Sequence, residues 1–131
     1  MTAVERYFFT PLYYPRGVWP VVRWWESRRV VFNAVVGGAG LLSVATIMGV
    51  TRLPPQPTFV PFPWIDIVTY AVLANLGYSL GPFADLALRR RLGDRAPAVA
   101  TVLLRYGFVF SVGLTLLPIP VSMLGWLIRL F

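Results

Sequence analysis

Trp24-Trp25-Glu26-Ser27-Arg28-Arg29 leads directly into Val30–Val50, 21 residues that carry no charge. Two indoles, then two fixed cations, then hydrocarbon is the order of groups on a helix that passes from a membrane surface into a bilayer. At about 1.5 Å per residue the run is about 30 Å long, the thickness of the hydrocarbon core. This stretch decides the class: all-α and integral to a membrane.

Two more apolar segments lie downstream. The second expected span is 64–83, opened by Trp64 and with Asp66 at its entrance; the third is 98–117. Between the first two, segment 51–63 holds prolines at 54, 55, 57, 61 and 63, so it reads as a stiff, extended loop. Segment 84–97 contains Arg89-Arg90-Arg91, Asp94 and Arg95 and reads as a short basic loop. Segment 118–131 opens with Pro118-Ile119-Pro120. Its remaining 11 residues, about 16 Å as a helix, are too few to cross, so a short interfacial helix is expected; a kinked continuation of the third helix is the alternative. Residues 1–18 combine Tyr7, Phe8, Phe9, Tyr13 and Tyr14 with Pro11 and Pro15, and are expected to form an extended aromatic arm. A helix should start near Trp19-Pro20, because Pro is tolerated in a first turn, making 19–50 an interfacial helix plus first span.

Composition supports one small membrane domain covering 1–131. Hydrophobic residues make up 57% and the mean hydropathy is +0.68, too apolar for a soluble domain of this size. The chain has no Cys, which leaves no disulfide, thiolate nucleophile or cysteine-ligated cluster. It has no His, which removes the usual axial ligand of haem, the usual ligand of chlorophyll magnesium and the usual base near neutral pH. No metal and no cofactor held covalently or through His or Cys is expected; peripheral contact with lipid, carotenoid or another pigment is. The net charge of +7 comes from arginines that flank apolar runs, which points to phospholipid headgroups and not to nucleic acid.

Arginine placement sets orientation. Arg6, Arg16, Arg23, Arg28 and Arg29 precede the first span and Arg89, Arg90, Arg91 and Arg95 follow the second, whereas Arg52 and Arg129 fall on the other side. The expected protein is multi-pass in a bacterial inner membrane, N-terminus cytoplasmic and C-terminus outside. Ser27-Arg28-Arg29 is also similar to a twin-arginine export signal, but the apolar segments downstream argue against export of a soluble cargo.

Polar groups within the apolar segments are the candidate site residues. Arg105 lies about seven residues into the third span, where an arginine costs on the order of 2.5–3.5 kcal/mol. Its candidate partners are Asp85, Glu26, Asn75, Tyr78 and Ser79. It either snorkels and ties two helices together or faces a cavity that takes an anion, a lipid phosphate or a cofactor carbonyl. Asn33 and Asn75 should bond to neighbouring helices, because an unsatisfied amide in lipid is costly. Arg52 and Asp66 should share an interface as an ion pair. Ala34 and Gly38, Ala39 and Ser43, and Gly77 and Gly81 are small residues one turn apart, suited to close helix packing inside the bundle or against another subunit. The structural set is completed by Trp24, Trp25, Glu26, Arg28 and Arg29. No Ser/His/Asp set, HExxH or phosphate-cradling loop occurs, and the five acids are scattered, so no enzyme activity is expected.

With Trp24-Trp25-Glu26-x-Arg28-Arg29-x-x-Phe32-Asn33 and Ala74-Asn75-Leu76-Gly77-Tyr78-x-x-Gly81 in hand, residues 19–83 resemble small, functionally uncharacterised bacterial inner-membrane proteins with a WWExRRxxYN entrance and an ANxxYxxG second span. Phe32 stands where that set commonly has Tyr. The resemblance implies the fold and carries no activity. Arg105-Tyr106 is also similar to the membrane-embedded Arg-Tyr pair of small fluoride channels, but Thr101-Val102-Leu103-Leu104 replaces the glycines expected before it. The expected function is a non-catalytic accessory subunit of a larger membrane complex, energy-transducing or photosynthetic, partnered by other membrane subunits and phospholipids. The alternative is a small anion channel or transporter acting as a homo-oligomer, with Arg105 and Asn75 on its path.

Overall fold

The computed structural model describes residues 2–12, 17–93 and 99–131. The described residues form helices and connections, with no strand among them. In chain order the helices are α1 (Ala3–Phe9), α2 (Val18–Val50), α3 (Trp64–Leu92), α4 (Val99–Leu116) and α5 (Pro118–Ile128). Three helical stretches are long and apolar enough to cross a membrane: α2, α3, and α4 with α5 counted as Val99–Ile128. α2, α3 and α4 pack on one another in a three-helix bundle, α5 packs on α2, and α1 lies against α4.

The α2 boundaries follow from the sequence. Pro20 falls in its first turn, where a missing N–H is harmless. The proline-rich loop ends where Trp64 opens α3.

Three expectations are corrected. The N-terminal arm is not wholly extended, because α1 forms within it. Thr2 and Glu5 make a capping box: Thr2 Oγ1 accepts from the Glu5 backbone at 3.2 Å, and the Thr2 backbone donates to Glu5 Oε2 at 2.7 Å. The Thr-x-x-Glu spacing that makes it is visible in the sequence. Tyr13 and Tyr14 lie outside the described residues.

The second correction concerns the basic loop, whose first half is helix. α3 runs through Pro82 to Leu92, since Ala84, Leu86, Ala87 and Leu88 are strong helix formers and outweigh the one donor that Pro82 removes. It stops at Gly93, whose φ of +54° suits glycine and whose N–H bonds to Arg89 O. Asp94 and Arg95 lie outside the described residues.

The third correction concerns 118–131, which does not stand apart as an interfacial helix. Leu117 keeps helical angles (φ −54°, ψ −37°). Its N–H reaches Gly113 O at 3.0 Å and Val121 N reaches Leu117 O at 3.4 Å. Pro118 and Pro120 sit where the new first turn leaves N–H groups unpaired anyway. α5 is therefore a continuation of α4. Trp126 Nε1 donates to Pro54 O at 2.9 Å, which places the end of α5 beside the loop that follows α2. α4 and α5 together run the length of the bundle.

The core is a line of rings at the arginine-rich end. Trp24 meets Trp25 at 5.5 Å between centroids, Trp25 meets Tyr78 at 5.5 Å, and Tyr78 meets Phe32 at 4.6 Å. Phe32 then meets Phe108 of α4 at 6.0 Å, and Phe108 meets Phe8 of α1 at 5.8 Å. Trp25 is seated directly on Gly81: a Cβ there would lie 2.5 Å from the indole. Toward the other end, Gly40 and Ser43 face α4, with Ser43 Oγ donating to Thr115 O at 2.6 Å. These small residues pack within the chain's own bundle, whereas Gly37, Gly38 and Gly77 face open space. Arg52 and Asp66 are exposed and form no ion pair; among the described residues only Glu26–Arg29 and Asp85–Arg89 do.

Gly81→Ala should destabilise the bundle by about 1–3 kcal/mol through overpacking against Trp25, while Gly77→Ala, into open space, should be neutral or slightly stabilising. Thermal unfolding of the two variants in one detergent checks the difference. Equal midpoints would show that Trp25 does not depend on that seat.

Candidate functional site

Asp85 is fully buried, and an ionised carboxylate is tolerated there only with partners. Its Oδ2 accepts from Trp25 Nε1 at 3.1 Å, and its Oδ1 accepts from Arg89 Nε at 2.6 Å. Arg89 sits one turn along α3 from Asp85 and reaches Leu12 O with Nη1 at 3.1 Å. Tyr78, two turns before Asp85, donates its hydroxyl to Trp25 O at 2.6 Å. One carboxylate thus holds α3 to α2, and through Arg89 holds the segment after α1.

Arg28 fixes α1. It is buried, stacked at 3.8 Å over the Trp24 ring and 5.1 Å from the Tyr7 ring. Its guanidinium donates to Trp24 O at 3.0 Å, to Ser27 Oγ at 3.1 Å and to Tyr7 O. Tyr7 in turn donates its hydroxyl to Ser27 O, and Trp24 Nε1 reaches Thr10 O at 3.3 Å. Two guanidinium nitrogens, Arg28 Nε and Arg89 Nη2, stay buried with no hydrogen-bond partner among the described residues.

Arg29 faces the other way, toward α3. Glu26 holds it in a two-point pair at 2.9 and 2.7 Å. It donates to Ser79 Oγ at 3.1 Å and to Asn75 Oδ1 at 3.4 Å, and lies 4.9 Å from the Tyr78 ring. One turn farther along, Asn33 and Asn75 exchange amide bonds at 3.1 and 3.0 Å across α2 and α3. The expected interhelical role of both amides is seen directly. Asn33 nevertheless remains exposed.

Arg105 differs from its expected placement. It is exposed and has no hydrogen bond or ion pair among the described residues. Each of its candidate partners is engaged elsewhere: Asp85 by Trp25 and Arg89, Glu26 by Arg29, Asn75 by Asn33 and Arg29, Tyr78 by Trp25, and Ser79 by Arg29. It also stands nearer the arginine-rich end of the bundle than its position in 98–117 suggests. α2 and α4 run in the same direction and Phe108 meets Phe32, so Arg105, three residues before Phe108, is level with Arg29. The uncharged stretch of the third helix is Tyr106–Ile128, bounded by Arg105 and Arg129.

Between α3 and α4 lies a groove of about 370 Å³, floored by Trp25 and Phe32 of α2 and walled by apolar side chains and glycines. Ser111 brings a hydroxyl to this wall. Sequence reading missed Tyr7 of α1 and Thr10 at its C-cap, the partner role of Arg89, and the Tyr70–Thr115 hydroxyl pair between α3 and α4. The available signal was the buried charge itself: an Asp one turn from an Arg inside a continuous helix pairs on one face. No group of three or more metal-ligating side chains converges among the described residues. What the arrangement does chemically is hold helices together at a polar end and leave an apolar groove beside it. No family model, curated protein or solved structure matches this chain.

Asp85→Ala should strand Arg89 and the Trp25 N–H in the interior and cost about 3–5 kcal/mol. Arg105→Gln should change stability little. Denaturant or thermal midpoints, with protease sensitivity near residue 12 as a second readout, separate the two. A stable Asp85→Ala with α1 still protected would show that the carboxylate is not the tie.

Proposed function

We propose that the chain is a multi-pass membrane protein that acts as a non-catalytic accessory subunit of a larger membrane assembly, of the energy-transducing or photosynthetic kind. Its N-terminus and arginine-rich end lie in the cytoplasm, and its C-terminus lies outside. The observation that carries this reading is the outward-facing amide pair of Asn33 and Asn75. Their mutual bonds use one of the two Nδ2 hydrogens of Asn33, and the second has no partner among the described residues. Asn33 lies one turn beyond Arg29 in the uncharged run, a depth at which an unpaired amide N–H costs several kcal/mol. A polar atom from a neighbouring transmembrane helix satisfies it. Gly37, one turn on, is open and lets such a helix approach closely.

The channel alternative draws less support. Its path needs Arg105 and Asn75 together, and Arg105 on α4 has no partner among the described residues while Asn75 is bonded to α2. The bonded polar groups of the arginine-rich end support a scaffold, since they fix helices to each other and present no convergent set to a substrate.

Purified from its native membrane through a C-terminal tag in mild detergent, the protein should emerge in a large, stoichiometric complex. Asn33→Leu should release it from that complex with its helix content intact. A stable, pigment-free monomer from the native membrane would overturn the reading. The orientation has its own test, because the chain has no native Cys. A Cys at Arg90 should react with an impermeant maleimide only from the cytoplasmic side, and a Cys at Gln56 only from outside; the reverse pattern would invert the topology.

A further inference from the structure

We propose that the groove between α3 and α4 is a lipid site, holding one acyl chain of an anionic glycerophospholipid from the leaflet at the arginine-rich end. It rests on the membrane setting proposed above and on a different face from the Asn33–Asn75 pair.

The groove selects an apolar occupant. Its phenolic hydroxyls are turned to protein partners, Tyr78 to Trp25 O and Tyr70 to Thr115. It exists because side chains are missing: Gly77 and Gly107 line it, and a Cβ at either would meet nothing within 4 Å. Its length selects a chain over a helix. Along α3 it runs from Gly81 back to Tyr70 and along α4 from Leu103 to Leu114. That is about 16 Å at helical rise, half of the roughly 30 Å hydrocarbon core and so the depth of one leaflet. A partner transmembrane helix would need a face that continues through both leaflets. Here the Tyr70–Thr115 hydroxyl pair bridges α3 and α4 and closes the inner end.

Charge selects the headgroup. Past Gly81, α3 continues for almost three turns into Arg89-Arg90-Arg91, with Arg90 and Arg91 exposed. Arg105, exposed on α4, stands at the same end. Arg89 is neutralised by Asp85, but Arg90, Arg91 and Arg105 have no ion-pair partner among the described residues and favour a phosphate at the headgroup level.

The test uses the full chain reconstituted in phosphatidylcholine vesicles with a minority of phosphatidylglycerol, one or the other lipid being spin-labelled on an acyl chain. The expected result is a motionally restricted population of phosphatidylglycerol near one per protein, several-fold above that of labelled phosphatidylcholine. Gly77→Leu and Gly107→Leu, each filling the groove from an open position, should abolish it. Arg90→Gln with Arg91→Gln should remove the preference for phosphatidylglycerol and leave the chain immobilised. Near-UV dichroism of the tryptophans establishes that each variant is folded. A restricted population unchanged in both folded leucine variants overturns the site. So does equal restriction of the two lipids in the unaltered protein, or loss of restriction on forming a dimer of this chain. Each result stands whether or not the protein purifies with other subunits.

Discussion

The structure depends on seating one large ring on a residue without a side chain, next to a carboxylate that cannot reach water. Trp25 lies on Gly81 so closely that a methyl group would overlap the indole. The seat alone would let the ring slide. Asp85, one turn beyond Gly81, receives the indole N–H, and Tyr78, one turn before Gly81, bonds to the Trp25 carbonyl. Close contact, a charge-assisted bond and a phenol then act on one residue from one helix face, which sets both the register and the rotation of α2 against α3. The ring line through Tyr78, Phe32 and Phe108 carries that alignment to α4.

Arginine does different work at each position of this end. Arg28 is buried between rings and caps the contact with α1. Arg29 is half-buried and gathers Glu26, Ser79 and Asn75. Arg89 neutralises Asp85. Arg105 is exposed, level with Arg29, and needs no internal partner. Its apparent depth arose from ending the third span at the Pro118-Ile119-Pro120 sequence. With α5 continuing α4, the uncharged run is Tyr106–Ile128 and Arg105 is its boundary.

The three long helices were legible because uncharged apolar runs of that length are long enough to cross a bilayer as helices, and the start of α2 followed from Trp19-Pro20. The rest was obscured where a local signal was weaker than its context. The arginines after 83 read as a loop, yet good helix formers carry α3 through them to Leu92, and Pro118 sits in a first turn, so α3 and the third helix run past 83 and 117. α1 was written in Thr2-Ala3-Val4-Glu5, a capping box masked by the aromatic residues that follow. Nine of the ten candidate residues meet in the network around Trp25 and Arg29. Their pairing was not legible: Asp85 was offered to Arg105, and only the unbroken turn of α3 puts Arg89 on its face.

A three-helix bundle cannot hide all of its sides, and this one leaves two of opposite character. Where α2 and α3 meet, the outer side carries amides beside Arg29. Where α3 and α4 meet, the outer side is mostly apolar, and its phenolic hydroxyls are bonded to protein partners. A helix with a polar atom to offer suits the first and an unbranched chain suits the second. The two demands arise from the same device. Tyr78 and Trp25 close the α2–α3 seam with a polar bond, and the groove beside them persists where Gly77 and Gly107 stand in place of side chains. A larger residue at Gly81 would therefore disturb both sides at once, whereas one at Gly77 or Asn33 alters only the face it occupies.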